Sequence, residues 1–334
     1  MRFNIGHREI HGQFIYTLTC INTFDVEVTG WLLSIYDKKA TKFKCDSVYK
    51  GYPVISLAST FYKYPYEYID ISEMDISNVA NVSFAFDAST KLKKVDISML
   101  NTSKIRVMEG MFANCKNIES ITLGNIDTSK VTTMNQMFNG CINLKSIDMR
   151  YLDLTKLTDA DYMFYNCNNI KSIQLPIKPM ESLVDVDSMF YYCQSLEYLD
   201  VSSMIMKKVK SADDLFYKCK SLKKLDLGDF ELTNEIRPYR IFFGCENIRS
   251  LDIRNVKIHN KLTDDNLITV FSSCYKLELV ITSSEQIART LETYDTFYTI
   301  KIKNTFNINI SIDKIITKAK LISNKKLCIF IQEI

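Results

Sequence analysis

Glycine and proline are scarce in this chain, with 9 and 5 among 334 residues. So few turn-formers in so long a chain imply one connection geometry reused many times, not many different loops. An excess of either charge is also missing. Lys+Arg 42 against Asp+Glu 39 leaves +3, spread along the chain, which provides no electrostatic footprint for nucleic acid. No stretch approaches the roughly 20 apolar residues needed to cross a bilayer. Met1 to Cys20 alternates polar and apolar residues, where a secretory leader would carry a continuous apolar segment. The expectation is a chain with no membrane span and no export signal.

Histidine occurs only at His7, His11 and His259. His7 and His11 have the i, i+4 spacing that grips zinc on a helix. Gly6, Gly12 and a strand-like continuation argue against a helix there, and Glu9 is misplaced for the H-E-x-x-H motif. C-x-x-C, G-x-S-x-G and a glycine-rich phosphate loop are all absent. The reading is therefore no catalytic residue, no cofactor and no metal site, and a protein that is not an enzyme. Hydrophobic content of 46% with 24% charged residues is that of a folded chain, not a disordered one. A length of 334 residues exceeds one ordinary core, so two domains or a repeat is expected.

The cysteines decide for a repeat. Cys115, Cys141, Cys167, Cys193, Cys219 and Cys245 follow one another at a constant spacing of 26. Three residues before each stands Phe112, Phe138, Phe164, Phe190, Phe216 or Phe242. Phe271 and Cys274 form a further copy after an insertion, Phe86 pairs with Ser89, and Thr60-Phe61 begins a degenerate copy. After each cysteine, apolar residues recur at offsets three, six and eight, as in Ile118, Ile121 and Leu123. The closing alternation has the period of a strand buried on one side. Between strands, Val131, Met134, Phe138 and Cys141 fall on one helical stripe, preceded by Asp127-Thr128-Ser129-Lys130 with a cap-type hydroxyl. That predicts a short helix as the return arm, distorted by Pro238 in the Phe242 copy.

The fold expected is thus an α/β solenoid of the leucine-rich-repeat type, with 26-residue strand-turn-helix copies and a parallel sheet along one face. Residues 60–282 form the solenoid. Residues 1–59, with strand-like Phe14 to Leu18 and the single Trp31, make an N-terminal cap. Residues 283–334 make a C-terminal cap, with a helical pattern over Ser284 to Tyr294 and strand-like Thr299 to Ile302 and Leu327 to Ile331.

The pattern D/N-T-S-K, apolar, x-x-M-x-x-M-F-x-x-C-x-x-L, as in Val131 to Cys141 followed by Lys145 to Met149, resembles the BspA-like leucine-rich repeats of bacterial and mycoplasmal surface proteins. The resemblance covers about residues 60–282. It implies a leucine-rich-repeat fold and, by association, adhesion or protein binding at a cell surface or after secretion.

Strand alternation points one column outward onto the sheet face: Asp96, Thr122, Asp148, Gln174, Asp200, Asp226 and Asp252. Its neighbours include Tyr198, Arg150 and Arg254. Two readings of this column stay open. It can be a face that recognises a protein partner, comprising Asp96, Asp148, Asp200, Asp226, Asp252, Tyr198, Arg150 and Arg254. It can also be a repeated aspartate that caps nearby backbone. The cysteine column reads as buried packing, because Ser89 fills the same slot in an early copy. Two functional classes follow: a non-enzymatic binding protein of the adhesin or host-interaction type, or a structural or assembly subunit, as a virion component or intracellular scaffold, that docks through its terminal flanks. Oligomeric state is not encoded in any recognisable pattern.

Overall fold

The computed structural model describes residues 4–23, 26–37, 39–227, 239–253, 269–283, 285–293, 297–304 and 326–333. From the alternating segments it builds a run of short parallel strands, one per copy. They are β7 (Asp70–Met74), β8 (Lys94–Asp96), β9 (Ser120–Thr122), β10 (Ser146–Asp148), β11 (Ser172–Gln174), β12 (Tyr198–Asp200), β13 (Lys224–Asp226), β14 (Ser250–Ile253) and β15 (Leu279–Thr282). The pairs β8–β9, β10–β11, β12–β13 and β14–β15 are parallel and in register with the repeat, for example Ile147 opposite Ile173 and Leu199 opposite Leu225. In β8 to β12 the central residue is buried and both neighbours are exposed.

The expected return helix is not formed. Across the described return arms from Ile105 to Cys245 the chain runs through consecutive tight turns instead. In the Phe112 copy the amides of Met108, Gly110, Phe112 and Asn114 donate to Thr133, Asn135, Met137 and Asn139 carbonyls of the next copy. The amides between them turn inward, Met111 to the Met108 carbonyl, Ala113 to Gly110 and Cys115 to Phe112. A helix would pair its amides with carbonyls four residues earlier in the same arm. Here every second amide serves the adjacent copy, so the arm is a second ladder between copies. Two residues per copy stand at positive φ to allow this: Gly110 and Asn114, Gln136 and Gly140, Tyr162 and Asn166, Ser188 and Tyr192. Thr128 is likewise no helix cap. Its hydroxyl donates to the Asp153 carbonyl of the next copy at 3.0 Å, while Ser129 N–H closes a turn on Asp127 Oδ1 at 3.0 Å. The molecule is a β-solenoid of 26-residue copies, not a strand-and-helix one. Pro238, expected to distort one arm, lies outside the described residues.

Both ladders enclose columns of identical side chains. Phenylalanine rings from Phe61 to Phe271 stack at centroid distances of 4.9 to 6.1 Å, with planes within 15° of parallel. Each full copy buries several more apolar residues, such as Val131, Met134, Met137, Cys141, Leu144 and Ile147. Each large side chain buried contributes about 1.5–3 kcal/mol, realised only when a neighbouring copy covers it.

At the N-terminal end, β1 (Arg8–His11), β2 (Phe14–Thr23), β3 (Val26–Ile35), β6 (Tyr52–Ser56) and β5 (Val48–Tyr49) form one sheet in that order, while β4 (Lys42–Cys45) pairs with β7. Trp31 is buried there, and its indole N–H donates to the Tyr49 carbonyl at 2.7 Å. Phe43 and Phe14 pack on Phe61 at 5.0 and 6.4 Å, which carries the aromatic column into this sheet. At the other end, α1 (Glu285–Thr293) and β16 (Phe297–Asn304) follow β15, and β17 (Lys326–Glu333) pairs between β15 and β16. Helix and strands there fall where the patterns over Ser284 to Tyr294, Thr299 to Ile302 and Leu327 to Ile331 place them.

Candidate partner-binding face

The aspartates of the sheet face stand at the ends of their strands because the alternation leaves the residue after the buried aliphatic pointing to solvent. Three of them also have a local task. Asp96 Oδ1 accepts from Ser98 N–H at 2.9 Å, Asp148 Oδ1 from Arg150 N–H at 3.1 Å, and Asp200 Oδ1 from Ser202 N–H at 2.9 Å. This i to i+2 bond is the Asx turn that starts the chain back from the sheet. Arg150 adds its guanidinium to Asp148, with Nη2 to Oδ2 at 2.7 Å, and so holds that carboxyl below its ordinary range. Its Cζ also lies 5.5 Å from the centre of the Tyr151 ring.

The column is not uniformly acidic: Asp96 is opposite Thr122, Asp148 opposite Gln174, and Asp200 opposite Asp226. Tyr198 is 46% exposed, and the Lys224 ammonium sits 5.5 Å from its ring centre. The structure thus gathers Tyr198, Asp200, Lys224 and Asp226 on adjacent strands. Asp252 lies on β14, in register with Ile281. Arg150 and Asp148 form a separate group two strands earlier, Asp96 stands further along, and Arg254 lies outside the described residues.

The cysteine column is structural. Each thiol from Cys115 to Cys274 donates to the phenylalanine carbonyl of the preceding copy, at 3.0 to 3.3 Å. Ser89 makes the same bond to Phe61 at 2.9 Å, which explains why serine can occupy the slot. Burial pushes Cys115, Cys219 and Cys274 up to about 12, and Cys141, Cys167, Cys193 and Cys245 well above the usual thiol range. A thiol reacts as its thiolate. At about pH 8 a thiol-exchange reagent should therefore leave these seven cysteines unmodified in the native chain and reach them only as it unfolds. Rapid native labelling of any of them would show that the column opens.

A second polar feature escaped the sequence reading. On the return-arm side, Tyr165, Tyr191, Tyr217 and Phe243 stack at 4.5, 4.6 and 5.1 Å. The same return arms carry Asp159, Asp161, Asp185, Asp187, Asp213 and Asp214, contributed by three successive copies. Arg240 is engaged with Asp214 at 2.7 Å and stacks over Tyr217 and Tyr239. The signal was present in the 26-residue register: tyrosine follows the column phenylalanine in three consecutive copies, and aspartate recurs three residues before it. A helical return arm would place these positions on its polar side, where no stack between copies is expected.

Among the described residues, no group of three or more His, Cys, Asp or Glu is placed to hold a metal ion, and no helix is long and apolar enough to cross a membrane. No curated protein matches the chain. The model of one family does match, over residues 55–176 and 179–256. These segments contain the copies from Phe112 and Cys115 to Phe242 and Cys245 and together make up more than half of the chain, so the protein belongs to the family described as Mycoplasma protein of unknown function, DUF285.

Proposed function

We propose that this chain is a non-enzymatic, protein-binding repeat protein of the adhesin or host-interaction type, using its exposed strand face. We further propose that its copies are of the BspA-like leucine-rich-repeat class. One observation carries the reading. The inward strand positions stay aliphatic from copy to copy, while the outward ones vary: Lys94/Asp96, Ser120/Thr122, Ser146/Asp148, Ser172/Gln174, Tyr198/Asp200, Lys224/Asp226, Ser250/Asp252. Columns bound by packing cannot change, whereas a rigid outer surface can be tuned position by position. A backbone pinned by ladders on two sides offers such a surface at small ordering cost on binding. The centre of the face is the group Tyr198, Asp200, Lys224 and Asp226, because a partly exposed aromatic beside charged groups is the composition of binding hot spots.

The test is cross-linking capture from the cells that make the protein, comparing wild type with a Tyr198→Ala/Asp200→Asn/Asp226→Asn variant of unchanged circular dichroism. Asparagine retains the Oδ1 acceptor of the Asx turn, so stability should change little. Loss of a hot-spot tyrosine should weaken a captured partner by ~2 kcal/mol, roughly 30-fold. Equal capture by both forms would move binding away from this face, to the terminal flanks 1–59 and 283–334 and an assembly role.

A further inference from the structure

The return-arm ladder brings acidic columns of adjacent copies face to face. Parallel bridges join Thr133 to Asp159, Asp159 to Asp185, and Asp185 to Ser211. Neighbouring passes of such a ladder lie about 5 Å apart, so carboxylates in the same or the next column come within reach of each other. Backbone donors satisfy only part of them. Asp161 N–H donates to Asp159 Oδ1 at 3.1 Å, Asp187 N–H to Asp161 Oδ1 at 2.8 Å, and Asp213 N–H to Asp187 Oδ1 at 2.7 Å. Asp159 also accepts from Thr133 Oγ1 at 3.2 Å and from Asn135 Nδ2 at 3.3 Å, and Asp187 accepts from Ser211 Oγ at 2.5 Å. Two groups remain in an unusual relation. The same pair of positions touches on either side, as Asn135 with Asp159 and as Asp187 with Ser211; between them it is occupied by Asp161 and Asp185, and Asp185 Oδ1 is buried without a donor. Two ionised carboxylates have only acceptors and repel each other. A contact between them closes only with a proton in it.

We propose that Asp161 keeps its proton at neutral pH and donates it to the Asp185 carboxylate, and that this bond acts as a pH-sensitive clamp between two adjacent copies of the return arm. The surroundings favour the protonated pair. Burial first, then the neighbouring Asp185 and Asp159, raise Asp161 to about 8, against the opposing pull of the Asp187 amide. Asp187, Tyr162 and Asp214 are also raised, each chiefly by burial. Glu109, on the other side of Asp159, is raised by burial and by the Asp159 charge. Of the positive groups beside the tyrosine stack, Arg240 is bound to Asp214 and Lys218 to the Tyr192 hydroxyl. Nothing in this set offsets a second negative charge on the pair.

The sign follows from proton linkage. A carboxyl that holds its proton more tightly folded than unfolded adds stability that is complete below the ordinary aspartate pKa of about 3.9. That contribution declines as pH rises and is gone once pH passes the folded value. The clamp is therefore closed in acid and at neutrality and opens in mild alkali, loosening the copies between Asp159 and Asp187.

The test is a carbon-13 NMR titration of aspartate carboxyls in the full chain, with Asp161→Asn and Asp185→Asn beside wild type. One wild-type carboxyl should keep its proton until near pH 8 and be absent from both variants. The urea midpoint of wild type should fall from about pH 6 to about pH 9 more steeply than that of Asp161→Asn. If all wild-type aspartates lose their protons by about pH 6, or the late-titrating one survives both substitutions, the clamp does not exist. Equal midpoint slopes in wild type and Asp161→Asn would overturn it as well. If neither variant folds, the wild-type titration alone decides.

Discussion

Phe164→Ala is expected to destabilise the chain by ~3–5 kcal/mol, the cost of emptying a large aromatic site that cannot collapse. The ring is fully buried, 5.2 Å from Phe138 on one side and 5.7 Å from Phe190 on the other. Collapse would require the adjoining turns to move inward, and they are pinned. Phe164 N–H donates to the Met189 carbonyl at 2.8 Å, Phe138 N–H to Met163 at 2.9 Å, and the Cys193 thiol to the Phe164 carbonyl at 3.3 Å. The cavity would therefore stay open and be lined by two rings, each deprived of a stacking partner. In a linear array each copy is stabilised mainly by its two neighbours, so a single truncation weakens two interfaces. Urea unfolding followed by far-ultraviolet circular dichroism measures the effect. A loss below about 1 kcal/mol, the range of surface changes, would mean that the aromatic column does not hold the copies together.

The columns were legible in the sequence for the same reason that this substitution should be costly. A side chain enclosed by copies of itself cannot change without a matching change next door, so Phe112 to Phe242 and Cys115 to Cys245 keep their spacing. Strand positions were legible too, since Ile121, Ile147, Ile173 and Leu199 each alternate with exposed neighbours. The return arm was not. Val131, Met134, Phe138 and Cys141 recur every three or four residues, as an amphipathic helix demands, but a string of turns closing on the third residue buries the same set. What separates the two is the positive φ at two places per copy. Glycine or asparagine marks some of them, as at Gly110, Asn114, Gly140 and Asn166. Gln136, Tyr162, Ser188 and Asp214 carry the same geometry without a telltale residue, because hydrogen bonds to the next copy impose it.

The site was legible to a similar, partial degree. The outward column from Asp96 to Asp252 follows from alternation alone, and its Asx turns from aspartate's preference for bonding the amide two residues on. The pairing of Asp161 with Asp185 could not be read, since it depends on the arm being a ladder. On a helix those residues would belong to separate solvent-facing surfaces.

Gln136 gives the sharpest discrimination between the two return-arm geometries. Its φ is +57° and its N–H donates to the Asp161 carbonyl of the next copy at 2.8 Å. Gln136→Gly should be neutral or slightly stabilising, because glycine adopts positive φ without the penalty that glutamine carries there. On a helix the same change would cost about 1 kcal/mol. Gln136→Pro should be severe. Proline fixes φ near −65°, on the wrong side of zero, and removes the donor to Asp161, so a loss of ~3 kcal/mol or more is expected. The two variants measured together in urea separate backbone sign from side-chain loss, since both remove the same amide side chain. Destabilisation by proline with tolerance of glycine is the signature of a left-handed residue in a ladder. If glycine destabilised by about as much as it does in helices, the arm would be helical in solution and the contact between the Asp161 and Asp185 carboxyls could not form.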